Sequence, residues 1–286
     1  MSDYIDRLVS VNQEIKAQEK KEAKLLYNTL VIKELGKQYT YGWRNKVEEK
    51  IPPQLEETLR KAFANAFLMI FQKGQGLIDK TYDAEKLKKE YVQKRVAMQA
   101  QGDRSTINKT RHQGKIRYLK NIGFSTTEGI GLGALGIGLP DIPIFIGNLI
   151  RTCSVAANSY GIDVQRKDEQ LYMLKLIRMS VLPKDERKSF NQEIEAFSKA
   201  IDRGEAVEVN LRAEIDLTAN QLAEGMLFSH FVMGIPIVGV VGGLYNTVIV
   251  SRLQQLADLK YDMRLLKRCK YNLVQDYHRE KGENCQ

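Results

Sequence analysis

Residues 129–161 read GIGLGALGIGLPDIPIFIGNLIRTCSVAANSYG. The first twenty-two of these, Gly129 to Ile150, hold one ionisable residue, Asp141. That is long enough to cross a bilayer core, which needs about 20 apolar residues. Pro140 and Pro143 fall near its middle, where proline removes a helix hydrogen bond and clashes with the preceding turn. Two half-helices meeting at a bend are therefore expected in place of one straight span. Asp141 is placed to cap a helix that runs from Ile142 through Arg151 to Tyr160 and stops at Gly161, which takes the left-handed position after a helix end. Start and stop are both marked, and both belong to a helix.

The same reading extends outward. Gly225 to Val250, GMLFSHFVMGIPIVGVVGGLYNTVIV, carries no Asp, Glu, Lys or Arg, only His230, and is broken by Pro236. From about Val240 to Glu280 no proline intervenes. Leu253, Leu256, Leu259, Met263 and Leu266 keep steps of three and four, which predicts one long C-terminal helix. Pro52 and Pro53 open a helix with Leu55, Leu59, Ala62, Phe63, Ala66, Phe67 and Ile70 on one face, closed by Gly74 and Gly76. Asp168 to Leu182 is amphipathic. Pro183 opens a polar helix from Lys184 to Arg203, Gly204 breaks it, and a further helix runs from Glu205 into the second apolar segment. Residues 3–36 read as a charged helical arm with a thin apolar stripe at Ile5, Leu8, Ile15, Leu25, Leu26 and Leu30. No long stretch alternates apolar with polar as a half-buried strand would. The expected fold is all-α, a multi-helix bundle with two Gly/Pro-rich apolar helical hairpins and a long C-terminal helix. Its expected organisation is a charged N-terminal arm (1–45), a helical domain (46–266) and a basic helical tail (267–286).

The 286 residues include 44 Lys plus Arg against 35 Asp plus Glu, a net charge of +9, with 43% apolar and 28% charged residues. This is a foldable globular composition and excludes a disordered tail, a collagen and a disulfide scaffold. Cys153, Cys269 and Cys285 are widely spaced with no Cys-x-x-Cys pair, as suits a reducing compartment. The start, Met1-Ser2-Asp3-Tyr4-Ile5-Asp6-Arg7, lacks the basic and apolar regions of a secretory signal, so a cytoplasmic product is expected. Residues 80–120 carry twelve Lys or Arg against four acids, a net +8, and run into the first apolar stretch. Such a run is a solvated helix face, a nucleic-acid patch or a juxtamembrane cluster for anionic headgroups. Lys109, Arg111, Lys115, Arg117 and Lys120, next to the apolar stretch, are the headgroup candidates. Tyr82, Tyr91 and Tyr118 lack the spacing of any nucleic-acid module, so nucleic acid is not the expected partner.

Catalytic motifs are thin. Gly131-Leu132-Gly133-Ala134-Leu135-Gly136 matches G-x-G-x-x-G, but a basic segment precedes it where a strand should lie, Pro140 interrupts the phosphate-binding helix, and no Walker lysine follows. Close helix packing at Gly129-x-x-x-Gly133 and Gly239-x-x-x-Gly243 accounts better for the glycines. His112, His230 and His278 are far apart and bring no metal spacing, so neither metal nor cofactor is expected. Gly123-Phe124-Ser125-Thr126-Thr127 lacks the second glycine of a nucleophile elbow. Asp141 is a functional acid if its segment lies in lipid and a helix cap otherwise.

Glu128-Gly129 through Gly138-Leu139-Pro140-Asp141-Ile142-Pro143, then Arg151, then Asn158-Ser159-Tyr160-Gly161, resembles the EcsC protein family. Ile235-Pro236-Ile237-Val238-Gly239-Val240-Val241-Gly242-Gly243, Asn246, Tyr261 and Arg264-Leu265 follow that family's C-terminal pattern in the same order. The family is named for a bacterial gene beside the ATPase and membrane subunit of an ABC transporter, so the resemblance implies a link to membrane or secretion machinery and no defined reaction. Its polar motif positions here are Asp141, Arg151, Tyr160, Asn246 and Arg264; of these, Asp141, Arg151, Asn246 and Arg264 are expected to pair where the two hairpins meet, since a buried charge needs a partner.

Three functions are expected to compete. The first is a scaffold on the cytoplasmic face of the cell membrane, holding anionic lipid and a transporter or other membrane-protein partner. The second is a hydrolase with Asp141 as base and Arg151 as oxyanion or phosphate partner. The third is a soluble helical interaction module with both apolar segments as core. The balance leans away from an enzyme, and the oligomeric state stays open.

Overall fold

A computed structural model describes residues 2–27, 51–74, 78, 83, 85–87, 89, 91–92, 141–233 and 244–280. These form seven α-helices and one π-helical turn, with no strand among them: α1 (Ser2–Tyr27), α2 (Pro53–Met69) continued by the π turn Ile70–Gly74, α3 (Asp141–Ser159), α4 (Lys167–Val181), α5 (Arg187–Asp202), α6 (Leu211–Met233) and α7 (Leu244–Glu280). The all-α bundle is thus the fold, and the long C-terminal helix is α7.

Helix ends follow local chemistry. Pro52 is extended and Pro53 sits in the first turn of α2, where a missing N–H costs nothing. After α3, Gly161 has φ of +70°, and after α5 Gly204 has φ of +71°; these left-handed positions suit glycine. The helix expected from Glu205 starts instead at Leu211. Asn210 caps it, its Oδ1 accepting from the Ala213 N–H at 3.0 Å, which satisfies a first-turn donor that Glu205 does not reach.

The core is continuous. Leu59, Phe63, Ala66, Phe67 and Ile70 form the buried face of α2, and Phe63 meets Phe145 of α3 edge to face at 6.3 Å. α4 lies at the centre, buried along most of its length and packed against α3, α5, α6 and α7. Ile142, Phe145, Ile146, Leu149 and Ile150 of α3 and Leu253, Leu256 and Ala257 of α7 complete the core.

Contacts between helices set their directions. Glu169 and Tyr172 of α4 meet Arg264 and Tyr261 of α7, so these helices are antiparallel. Ser154 of α3 meets Met173 across the short 160–166 connection, which makes α3 and α4 antiparallel and α3 parallel to α7. Glu214 of α6 lies beside Lys175, and Glu224 acts on Glu186 just beyond α4, so α6 runs with α4. The start of α3, the end of α6 and the start of α7 therefore converge at one end of the bundle.

The glycine runs at 129–140 and 234–243 and the basic stretch 93–120 lie outside the described residues, as does the expected continuation of the first helix beyond Tyr27. Among the described residues no helix is long and apolar enough to cross a membrane. α1, expected as an arm, packs lengthwise on α7.

Candidate functional site

Along α7 three cations are buried, Arg252, Lys260 and Arg264; the last two lie one helical turn apart. Arg264 is nearly sealed from solvent, with 4% of its side chain exposed. Its Nη1 and Nη2 donate to Glu169 Oε2 at 2.8 Å and Oε1 at 2.6 Å. Its Nε and Nη2 donate to Asp202 Oδ2 at 3.0 Å and Oδ1 at 2.6 Å. Glu169 opens α4 and Asp202 ends α5, so one planar fork joins three helices. The guanidinium lies 4.8 Å from the ring centre of Tyr172 and 5.6 Å from that of Tyr261. Tyr160 stacks on Tyr261 with ring centres 6.4 Å apart.

The electrostatics follow. Burial alone would draw the Arg264 pKa down, but its hydrogen bonds to Glu169 and Asp202 outweigh it and the guanidinium is held more firmly protonated than usual. Burial holds the phenols of Tyr172 and Tyr261 neutral, well above their ordinary range. Neither hydroxyl has a hydrogen-bond partner among the described residues. Two carboxylates against one cation leave the cluster with one net negative charge, and most of the guanidinium's donors are already engaged.

Lys260, fully buried, pairs with Glu22 of α1 at 2.5 Å and Glu195 of α5 at 2.6 Å. Lys267 also pairs with Glu195. Burial pushes the Glu195 carboxyl up, but Lys260 and Lys267 together hold it below the usual carboxylate range. A third network joins Lys175 and Arg178 of α4 to Glu214 of α6 at 3.2 and 3.0 Å. Arg178 lies 4.0 Å from the Phe190 ring centre, and Lys175 is 5.7 Å from that of Phe197. Here burial wins, and the Glu214 carboxyl is raised despite Arg178 and Lys175.

The residues nominated from sequence fall in different places. Asp141 is the first residue of α3 and Arg151 lies ten residues further along the same helix, about 15 Å in rise. That exceeds the joint reach of the two side chains, so they do not form a pair. Asn246 lies in the first turn of α7. Tyr160 and Arg264 are brought together through Tyr261. Gly161, beside Tyr160, also has a packing role: a Cβ there would lie 2.3 Å from the Tyr91 ring. Lys109, Arg111, Lys115, Arg117 and Lys120 lie outside the described residues. Sequence reasoning missed Glu169, Tyr172, Glu195, Asp202 and Lys260. The available signal was the placing of Lys260 and Arg264 within an apolar helix face, where buried charge requires a partner. Among the described residues no group of three His, Cys, Asp or Glu side chains could hold a metal ion.

Comparison with known proteins agrees with the motif residues. The chain is 28% identical to Protein EcsC of Bacillus subtilis (strain 168) over 149 residues, half of this chain and 58% of the relative. It therefore spans less than two thirds of that relative's length. No solved structure matches the chain. The profile of the EcsC protein family matches residues 10–266, a span that takes in most of α1, all of α2 to α6, and α7 as far as Leu266. With nearly the whole bundle under that match, the chain belongs to the EcsC protein family.

Proposed function

We propose that the chain is a non-catalytic helical scaffold on the cytoplasmic face of a membrane, accessory to membrane machinery of the ABC-transporter or secretion kind. The observation that carries this reading is the convergence of the start of α3, the end of α6 and the start of α7 at one end of the bundle. Both Gly/Pro-rich apolar segments join the body at that end, and the basic segment 80–120 leads directly into the first of them. Apolar chain flanked by clustered Lys and Arg fits a surface of anionic lipid.

The buried charges support a structural role in place of a reaction. Arg264, Lys260, Lys175 and Arg178 each hold carboxylates from neighbouring helices. The ten-residue separation of Asp141 and Arg151 along α3 supports the same reading. A soluble interaction module is the second reading, favoured by the full burial of Phe145, Ile146, Leu149 and Leu253 within the core.

Fractionation of expressing cells, with separate high-salt and alkaline carbonate washes of the membrane pellet, decides between them. Retention through both washes means insertion, release by salt means electrostatic adsorption, and a wholly soluble chain overturns the membrane reading. Neutralising Lys115, Arg117 and Lys120 removes about 1 kcal/mol each at an anionic surface. Vesicle binding should then weaken about 100-fold. Unchanged binding by that variant would remove the basic segment from the proposal.

A further inference from the structure

α1 stands apart from the hydrophobic core that unites the other helices. Of its side chains only Leu26 belongs to that core, with Leu25 packed on its edge. Val11 is buried apart from that core, and Tyr4 meets Tyr277 edge to face; the remaining contacts are largely polar. Glu22 pairs with Lys260 at 2.5 Å, and Gln18 donates to Asp262. Asn191 donates to Glu22 at 3.4 Å, Arg187 to the Leu26 carbonyl at 3.3 Å, and Tyr4 to Glu280 at 2.6 Å. Glu14 and Gln18 are buried on the α1 side, Lys260, Asp262 and Arg187 on the other. Groups of this kind regain water when the surfaces part, whereas an apolar interface of the same extent would not. An element whose contacts are more polar than those of its neighbours opens at lower free energy than they do.

The sequence gives the contact its specificity. Tyr4, Leu8, Val11, Ile15, Gln18, Glu22 and Leu25 recur at alternating steps of four and three, the seam of a coiled coil. The polar pair in that seam, an amide followed one turn later by a carboxylate, meets Asp262 and Lys260 in antiparallel order. Such polar seam positions fix register and partner.

We infer that α1 is an exchangeable helix, and that its seat on α7 and α5 is a binding site for the α1 of a second copy of this chain. The occupant follows from the chemistry: the seat requires Gln18 and Glu22 in this spacing above an apolar seam, and α1 is the segment that supplies them. Exchange re-forms identical contacts between two chains, so the balance of closed and exchanged forms is set by concentration.

The test uses the full chain and a fluorescent peptide of residues 2–27, followed by anisotropy. The peptide should bind saturably at one per chain. Glu22→Lys in the peptide should weaken binding at least tenfold. Glu22→Lys in the chain, which loosens the resident helix at a partly open edge, should strengthen capture of the unaltered peptide by about tenfold. Failure to bind either chain, or indifference to Glu22→Lys in the peptide, overturns the inference. Hydrogen exchange of the unaltered chain supplies a second readout that needs no variant. Amides of α1 should exchange at least tenfold faster than those of residues 253–266, and equal protection of the two would overturn the exchangeable helix. Sedimentation must also reveal a concentration-dependent dimer, and a monomer throughout would overturn the second copy as occupant.

Discussion

Replacing Arg264 with Met removes the cation from a site whose carboxylates have little access to water. Glu169 has 1% of its side chain exposed and Asp202 16%. Asp202 can rehydrate in part, but Glu169 must either keep an uncompensated charge or take a proton. Removing one partner of a buried ion pair costs about 3–5 kcal/mol. At about 2–3 °C per kcal/mol for a chain somewhat larger than 150–250 residues, the melting temperature should fall by about 6–15 °C. Thermal melts followed by circular dichroism at pH 7 measure the fall. Adding Glu169→Gln and Asp202→Asn to Arg264→Met should recover much of the loss, since neutral groups of similar shape bear no unpaired charge. A drop below about 1 kcal/mol, or a triple variant no better than the single one, would refute the reasoning that Arg264 is held by buried carboxylates.

Gly161→Ala should destabilise more than Gly204→Ala. Both place a side chain at positive φ, costing about 1–2 kcal/mol, but only at Gly161 does the new Cβ meet the Tyr91 ring; adding Tyr91→Ala should abolish the difference in urea melts. Lys260→Gln should cost about 2–3 kcal/mol at neutral pH, because a buried pair is broken while Glu195 keeps Lys267. Since Lys260 helps hold the Glu195 pKa below its unfolded value, that contribution is present above about pH 4.3 and is lost on acidification. The stability gap between the two proteins should therefore narrow as pH falls below 4. Asn210→Ala should lower stability by about 1 kcal/mol through loss of the α6 cap, whereas Asn210→Asp retains it.

Much of the fold is legible from local signals. Pro53, Gly161 and Gly204 mark helix ends by what their backbones permit, and the three-four spacing of Leu59, Phe63 and Ile70 names the buried face of α2 before any neighbour is known. The start of α6 was misplaced because Glu205 to Val209 contains nothing that forbids a helix, while the cap at Asn210 is a weaker signal than a proline. The candidate site was legible only in half. Arg264 carries the family pattern, but Glu169 and Asp202 lie 95 and 62 residues away, and no periodicity within one helix reports a pairing made between helices. Asp141 and Arg151 attracted notice for their place beside an apolar run, a property of composition; the helix then set them too far apart to act on each other.

The Arg264 clamp has a consequence for how such chains can vary. Glu169 and Asp202 sit at the open end of the α4–α5 hairpin, opposite the turn around Pro183 to Glu186. The two free ends are thus fastened by a residue that neither helix contains. A hairpin closed at its mouth no longer depends on its loop for alignment, so insertions or deletions in the turn are tolerated. A single residue inserted into α7 between Leu253 and Arg264 would instead rotate the fork by about 100° away from both acids. Length drift among relatives should accumulate at the turn and be purged from the helix.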